Sequence, residues 1–179
     1  MDLHQIQINY QLNEDRILFR ASFRGKDGSI QEIRAWITRR LFQGLWPGII
    51  DSLKTQVKLE KPQAAHASAE IVSMEHTANV TAMQDSGGFT NKFEAQVQEF
   101  PYGKVPLLIT TANFSITANK PVCIHFVSDQ GKGFEIAFTP RLLHGFCKLL
   151  MEAEAKAKWN LNPVLPGEAL LPRTSAVLN

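Results

Sequence analysis

The sequence predicts an α+β fold: two similar antiparallel β-meander-plus-helix halves, a pseudo-repeat packed as one domain. Three observations carry that expectation. Short runs of alternating apolar and polar residues, the period-two signature of half-buried strands, are separated by turn residues. Two segments with apolar residues at i, i+4 spacing follow such runs directly. One of these strand-to-helix segments, 32–53 (EIRAWITRRLFQGLWPGIIDSL), is echoed by 134–150 (FEIAFTPRLLHGFCKLL), with Thr38-x-Arg40-Leu41-x-x-Gly44 in register over Thr139-x-Arg141-Leu142-x-x-Gly145.

The expected divisions are 1–61 for the first half, 62–92 for a helical or mobile excursion, 93–160 for the second half and 161–179 for an extended or disordered tail. In the first strand, 4–11, His4, Ile6, Ile8 and Tyr10 share one face and Gln5, Gln7, Asn9 and Gln11 the other. Asn13-Glu14-Asp15 turns the chain into a second strand, 16–24, which puts Ile17, Phe19, Ala21 and Phe23 inward. Asp27-Gly28 supplies the positive φ of a hairpin loop. A third strand then carries Ile33, Ala35 and Ile37 inward and Glu32, Arg34 and Trp36 outward.

Thr38 suits a helix N-cap, its hydroxyl accepting from an early backbone N–H. Leu41, Leu45, Ile49, Leu53 and Val57 form the buried stripe of the helix that follows. Pro47 removes one backbone donor, so a kink or restart is expected near Trp46-Pro47. Alanine-rich 62–83 reads as helix, ended by Gly87-Gly88. In the second half, 93–100 alternates as a strand, and 107–117 places Leu108, Thr110, Ala112, Phe114 and Ile116 on one side. Val122, Ile124 and Phe126 face inward on the next strand, against Cys123, His125 and Val127; after 131–133 turns, Phe134, Ile136 and Phe138 complete the set. Thr139 caps the last helix, with Pro140 at its first position. Its stripe is Leu142, Phe146, Leu149 or Leu150, Ala153 and Ala157.

Composition narrows the function classes. With 44% apolar residues in a chain of 179, a sizeable core can be buried. No apolar run approaches the ~18 residues of a membrane span. The start, MDLHQIQINY, lacks the apolar stretch of a secretory signal, and two cysteines do not make a disulfide framework. A cytoplasmic protein with no membrane partner is expected. The net charge of +2 names no partner, although residues 1–61 carry ten Lys/Arg against seven Asp/Glu.

Strand-strand-strand(-strand)-helix, used twice, resembles in element order the Whirly and PUR-repeat proteins, and the resemblance implies single-stranded nucleic-acid binding. It covers topology and transfers no site residue.

The polar face of the first meander gathers the candidate binding residues Arg16, Arg20, Arg24, Arg34 and Trp36. Arginines meet phosphates and an indole stacks on bases, the two ingredients of single-strand binding. The plainer reading is a solvated sheet face on which arginines lie opposite Glu32 and glutamines. Cys123-x-His125 and His144-x-x-Cys147 contain four zinc-type ligands, but Cys123 and His125 belong to the face opposite Val122, Ile124 and Phe126, so no metal site and no cofactor is expected. His66, Glu70, Glu75 and His76 are acid–base groups with no nucleophile or orienting partner in a recognisable pattern. Neither Gly-x-Ser-x-Gly nor a phosphate-cradling loop is present, so no catalytic residue is assigned. Trp36, Phe42 and Trp46 are candidate anchors for a protein partner or a second copy, against the alternative that Trp46 packs on the sheet. The expected function is non-catalytic binding or assembly: weak single-stranded nucleic-acid binding on the first sheet, or a protein–protein adaptor or homodimer with no nucleic-acid role.

Overall fold

A computed structural model describes residues 2–93 and 97–167. Three antiparallel strands, β1 (Asp2–Gln11), β2 (Arg16–Arg24) and β3 (Ile30–Ile37), lead into helix α1 (Arg39–Glu60). A short 3₁₀ segment (Pro62–Ala67) and helix α2 (Ser68–Asp85) follow. Then come β4 (Leu107–Ser115), β5 (Val122–Ser128), β6 (Gly133–Phe138) and helix α3 (Pro140–Ala157). The fold is α+β: among the described residues, one mixed six-stranded sheet in the order β1-β2-β3-β4-β5-β6, with three α-helices.

The central joint is short and parallel, with Ala35 opposite Leu107 and Trp36 opposite Leu108. In a flat sheet β2 and β5 would stand about 14 Å apart. Yet the ring of Phe19 on β2 lies 5.7 Å from Phe126 on β5 and 6.0 Å from Phe134 on β6. The sheet therefore curls strongly about its apolar face. Phe146 of α3 enters the same cluster, 5.7 Å from Phe19. The helices cross over: α1 packs on β4, whereas α3 lies on β1 and, less extensively, on β6.

Both expected caps are present, with Thr38 Oγ1 accepting from Leu41 N (3.1 Å) and Thr139 Oγ1 from Leu142 N (3.3 Å). The aligned glycines play different parts. Nothing lies within 4 Å of a side chain placed at Gly44, whereas one placed at Gly145 would meet Met83 Cε at 2.7 Å.

Several expectations are corrected. Of the kink or restart expected near Pro47, the restart does not occur: α1 runs through the proline as one helix. Gly48 follows the proline because Phe114 of β4 sits against it, 2.7 Å (Cζ) from where a Cβ would be. A β-bulge between Ile109 and Thr111 reverses the alternation of β4. Leu107 and Ile109 are therefore buried ahead of it, and Thr110 is exposed rather than sharing a face with Ala112 and Phe114. In 93–100, residues 94–96 lie outside the described residues; the rest forms no strand, only a single bridge of Glu99 to Gln31. α3 buries Leu143, Cys147 and Leu150, while Leu142 and Leu149 are half-buried. The described part of the tail, 161–167, forms no helix or strand but is anchored: Trp46 donates Nε1 to the Val164 carbonyl (3.3 Å), and Leu165 is buried. The remainder, 168–179, lies outside the described residues. No helix among the described residues is long and apolar enough to cross a membrane.

Candidate functional site

Register explains the polar face of the first meander. Arg20 stands opposite Gln7 on β1 and opposite Arg34 on β3. Two like charges so placed repel. Glu32, two residues from Arg34 on β3, resolves the conflict with a side chain fully removed from solvent. Arg20 donates Nε to Glu32 Oε1 (2.6 Å), Nη2 to Oε2 (2.9 Å) and Nη1 to Gln7 Oε1 (3.0 Å). Arg34 donates Nε to the same Oε1 (2.6 Å). Burial works to raise the Glu32 pKa, but the hydrogen bonds and charges of the two guanidiniums hold it below the usual carboxylate range.

The expectation of a solvated face needs correction, because the chain after α2 crosses it. The Arg20 guanidinium lies 4.1 Å from the Phe93 ring centre, and that of Arg34 4.8 Å from Phe100. Ile30 N donates to Gln98 Oε1 (2.5 Å), Gln31 Nε2 to Glu99 Oε2 (2.5 Å) and Gln5 Nε2 to the Lys92 carbonyl (3.2 Å). Arg24 is exposed and bonds the His4 imidazole (3.2 Å), while Arg16 and Trp36 are half-buried. The structure thus joins Arg20 and Arg34 in one ion cluster; Arg16 and Arg24, at the two ends of β2, stand outside it.

Sequence reasoning did not find a groove of about 420 Å³. One wall is six consecutive residues of β1, from His4 to Asn9. Alternate residues of a strand point to opposite faces, so a run of six is the edge of the strand. β1 is the first strand of the sheet and, among the described residues, pairs with β2 alone. Leu142, Gly145, Phe146 and Leu149 of α3 form the apolar floor, Met83, Phe89 and Phe93 the far lip, and Glu152 and Lys156 one end. The available signal was an edge strand with neutral amides at Gln5, Gln7 and Asn9; locating α3 beside it required the tertiary fold.

The remaining candidates disperse. Cys147 and His144 are fully buried on α3, whereas His125 is exposed and Cys123 half-buried on the outer face of β5. Among the described residues no three His, Cys, Asp or Glu side chains converge on a cation site. His66 and Glu70 are exposed, and Glu75 pairs with Lys61 at 2.7 Å. His76 meets His144 edge to face, with ring centroids 5.4 Å apart. Trp46 and Phe42 stack with centroids 6.3 Å apart and are buried. No protein-family model, curated protein or solved structure matches this chain.

Proposed function

We propose that this chain is a non-catalytic binding protein that takes an extended peptide segment of a partner protein into the groove between β1 and α3. The observation that carries the reading is the run of six consecutive β1 residues, His4 to Asn9, that lines that groove beside the apolar residues of α3. The edge of a sheet is where an extended segment adds as a further strand through main-chain hydrogen bonds, and pockets beneath it select alternate side chains. Leu142, Phe146 and Leu149 suit apolar side chains. Neutral amides on β1, with Glu152 and Lys156 opposite in charge, suit a peptide with no strong net charge. The test is selection of a random twelve-residue peptide library on the protein, then fluorescence anisotropy with one enriched peptide. Binding should weaken at least tenfold in Leu142→Arg/Leu149→Arg, whose half-buried side chains form the floor, and should barely change between low and high salt. Equal binding by that variant, or enrichment of no peptide, refutes the groove. A dimer that dissociates on peptide addition would identify a second copy of the chain as the natural occupant.

A second reading, weak single-stranded nucleic-acid binding through Arg16, Arg20, Arg24, Arg34 and Trp36, is supported by the cations layered on Phe93 and Phe100, with the Lys104 ammonium 5.8 Å from the latter ring. Glu32 offsets one of the two central charges, which weakens it relative to the groove. Labelled single-stranded DNA or RNA should then bind with steep salt dependence, and Arg24→Ala/Trp36→Ala should abolish that binding; no binding at tens of micromolar in low salt removes this reading. Two free thiols, Cys123 and Cys147, favour a reducing compartment, and we assign the cytoplasm. The echoed caps at Thr38 and Thr139, each following three antiparallel strands, support a pseudo-repeat of two halves.

A further inference from the structure

His144 lies in the seam where α3 packs on α2, fully removed from solvent, and neither ring nitrogen has a hydrogen-bond partner. A leucine or phenylalanine there would avoid the cost of an unsatisfied buried polar ring. The next residue, Gly145, is where Met83 of α2 seats, and both line the peptide groove. One turn further on, the Lys148 ammonium lies 5.1 Å from the ring centre of Phe89, another residue of the lip. The wall of the groove therefore rests on the seam that His144 occupies.

We propose that the α2–α3 seam is an acid-sensitive latch on the groove: protonation of His144 separates α2 from α3 and withdraws the Met83–Phe89 lip. The proposal rests on the peptide-groove reading and adds its regulation. Placing a proton on a ring with no acceptor in reach, beside a second imidazole, is resisted by the closed seam and permitted by the open one. Burial and the His76 charge together lower the His144 pKa to about 4. On α2 the titratable groups are Glu70, Glu75, His76 and Asp85; Glu70 and Asp85 are exposed, and Glu75 is turned to Lys61. β1 contributes Asp2, exposed, and His4, bonded to Arg24, and β6 contributes Glu135, exposed. On α3 itself Arg141 donates to Ser86, and Lys148 pairs with Glu152. Of all these, His76 is the group in ring contact with His144.

The test is hydrogen–deuterium exchange of α2 amides at pH 7.5 and pH 5.0, corrected for intrinsic rates, in the wild type, His144→Leu and His144→Met. Exchange in 76–85 should rise at least tenfold at pH 5.0 in the wild type and stay level in whichever variants fold. Affinity for the library-selected peptide should change between the two pH values in the wild type alone. Equal acid sensitivity in the variants, or none in the wild type, overturns the latch. Ring NMR of His144 in the wild type decides the matter independently: a titration near pH 6.5 with no change at α2 also overturns it. Exchange needs no ligand, so an opening seam with pH-independent peptide binding would fail the link to the groove while leaving peptide binding there intact.

Discussion

Glu32 is the residue on which the first meander depends most. Its side chain is buried, while those of Arg20 and Arg34 remain 21% and 29% exposed. Glu32→Gln leaves two opposed guanidiniums without their anion and should cost about 2 kcal/mol, the partial exposure of the arginines moderating the loss. Urea unfolding at pH 7 measures it. The pH dependence has a definite sign at two positions. Because Glu32 titrates below its unfolded value, its contribution is full above about pH 4.5 and is lost as the pH falls through the folded value. His144 binds its proton more weakly in the fold, so acid favours the unfolded chain from about pH 6.5 down to about 4, for a loss of about 3 kcal/mol. His144→Leu should flatten the upper part of that acid limb in unfolding midpoints taken every half pH unit. The thiols separate by burial: the apolar surroundings push Cys147 up to about 12, whereas Cys123 is half-exposed. Ellman's reagent should titrate one thiol in native protein and two in guanidinium.

At the level of elements, glycine and bulge positions decide how helices meet strands. Gly48 lets α1 approach Phe114, so Gly48→Val forces the ring aside and should destabilise by about 2 kcal/mol in the same urea assay. Gly44, with nothing within 4 Å of an added side chain, should accept alanine without loss and gain a few tenths of a kcal/mol from helix propensity. The two glycines share a helix, and their opposite outcomes test the packing directly. α2 has a weaker attachment, with Val72 and Ser68 its buried residues. Local opening of α2 ahead of global unfolding follows from that sparse burial, and it is the property that the latch uses.

Across the whole molecule, a tie runs from the end of α3 to the first turn. Trp159 donates Nε1 to Asp15 Oδ1 (2.8 Å), and Tyr10 donates its hydroxyl to the same oxygen (2.8 Å). The tail then passes over Trp46 and buries Leu165, so Leu165→Ala should cost about 2 kcal/mol by urea unfolding although it lies beyond the last helix. The positions of β1 to β6, both threonine caps and the apolar stripe of α1 were legible in the amino-acid order, because alternation, capping chemistry and i, i+4 spacing are local properties, whereas the alternation of 93–100 misled. The helical reading of 62–83 was legible from alanine content, although its division into a 3₁₀ segment and α2 and the docking of α2 on α3 were not. The reversal at Thr110 was not legible, since a bulge adds a residue without a compositional mark. Alternation groups the five candidate residues on β2 and β3, yet the pairing of Arg20 and Arg34 through Glu32 depends on strand register. The cover supplied by Phe93 and Phe100 depends on where a loop crosses. The β1–α3 groove and the His144 seam belong to tertiary structure alone. The groove arises where a curled sheet brings its first edge beside a helix from the other end of the chain, and the seam where that helix meets α2; such long-range contacts leave no period in the sequence.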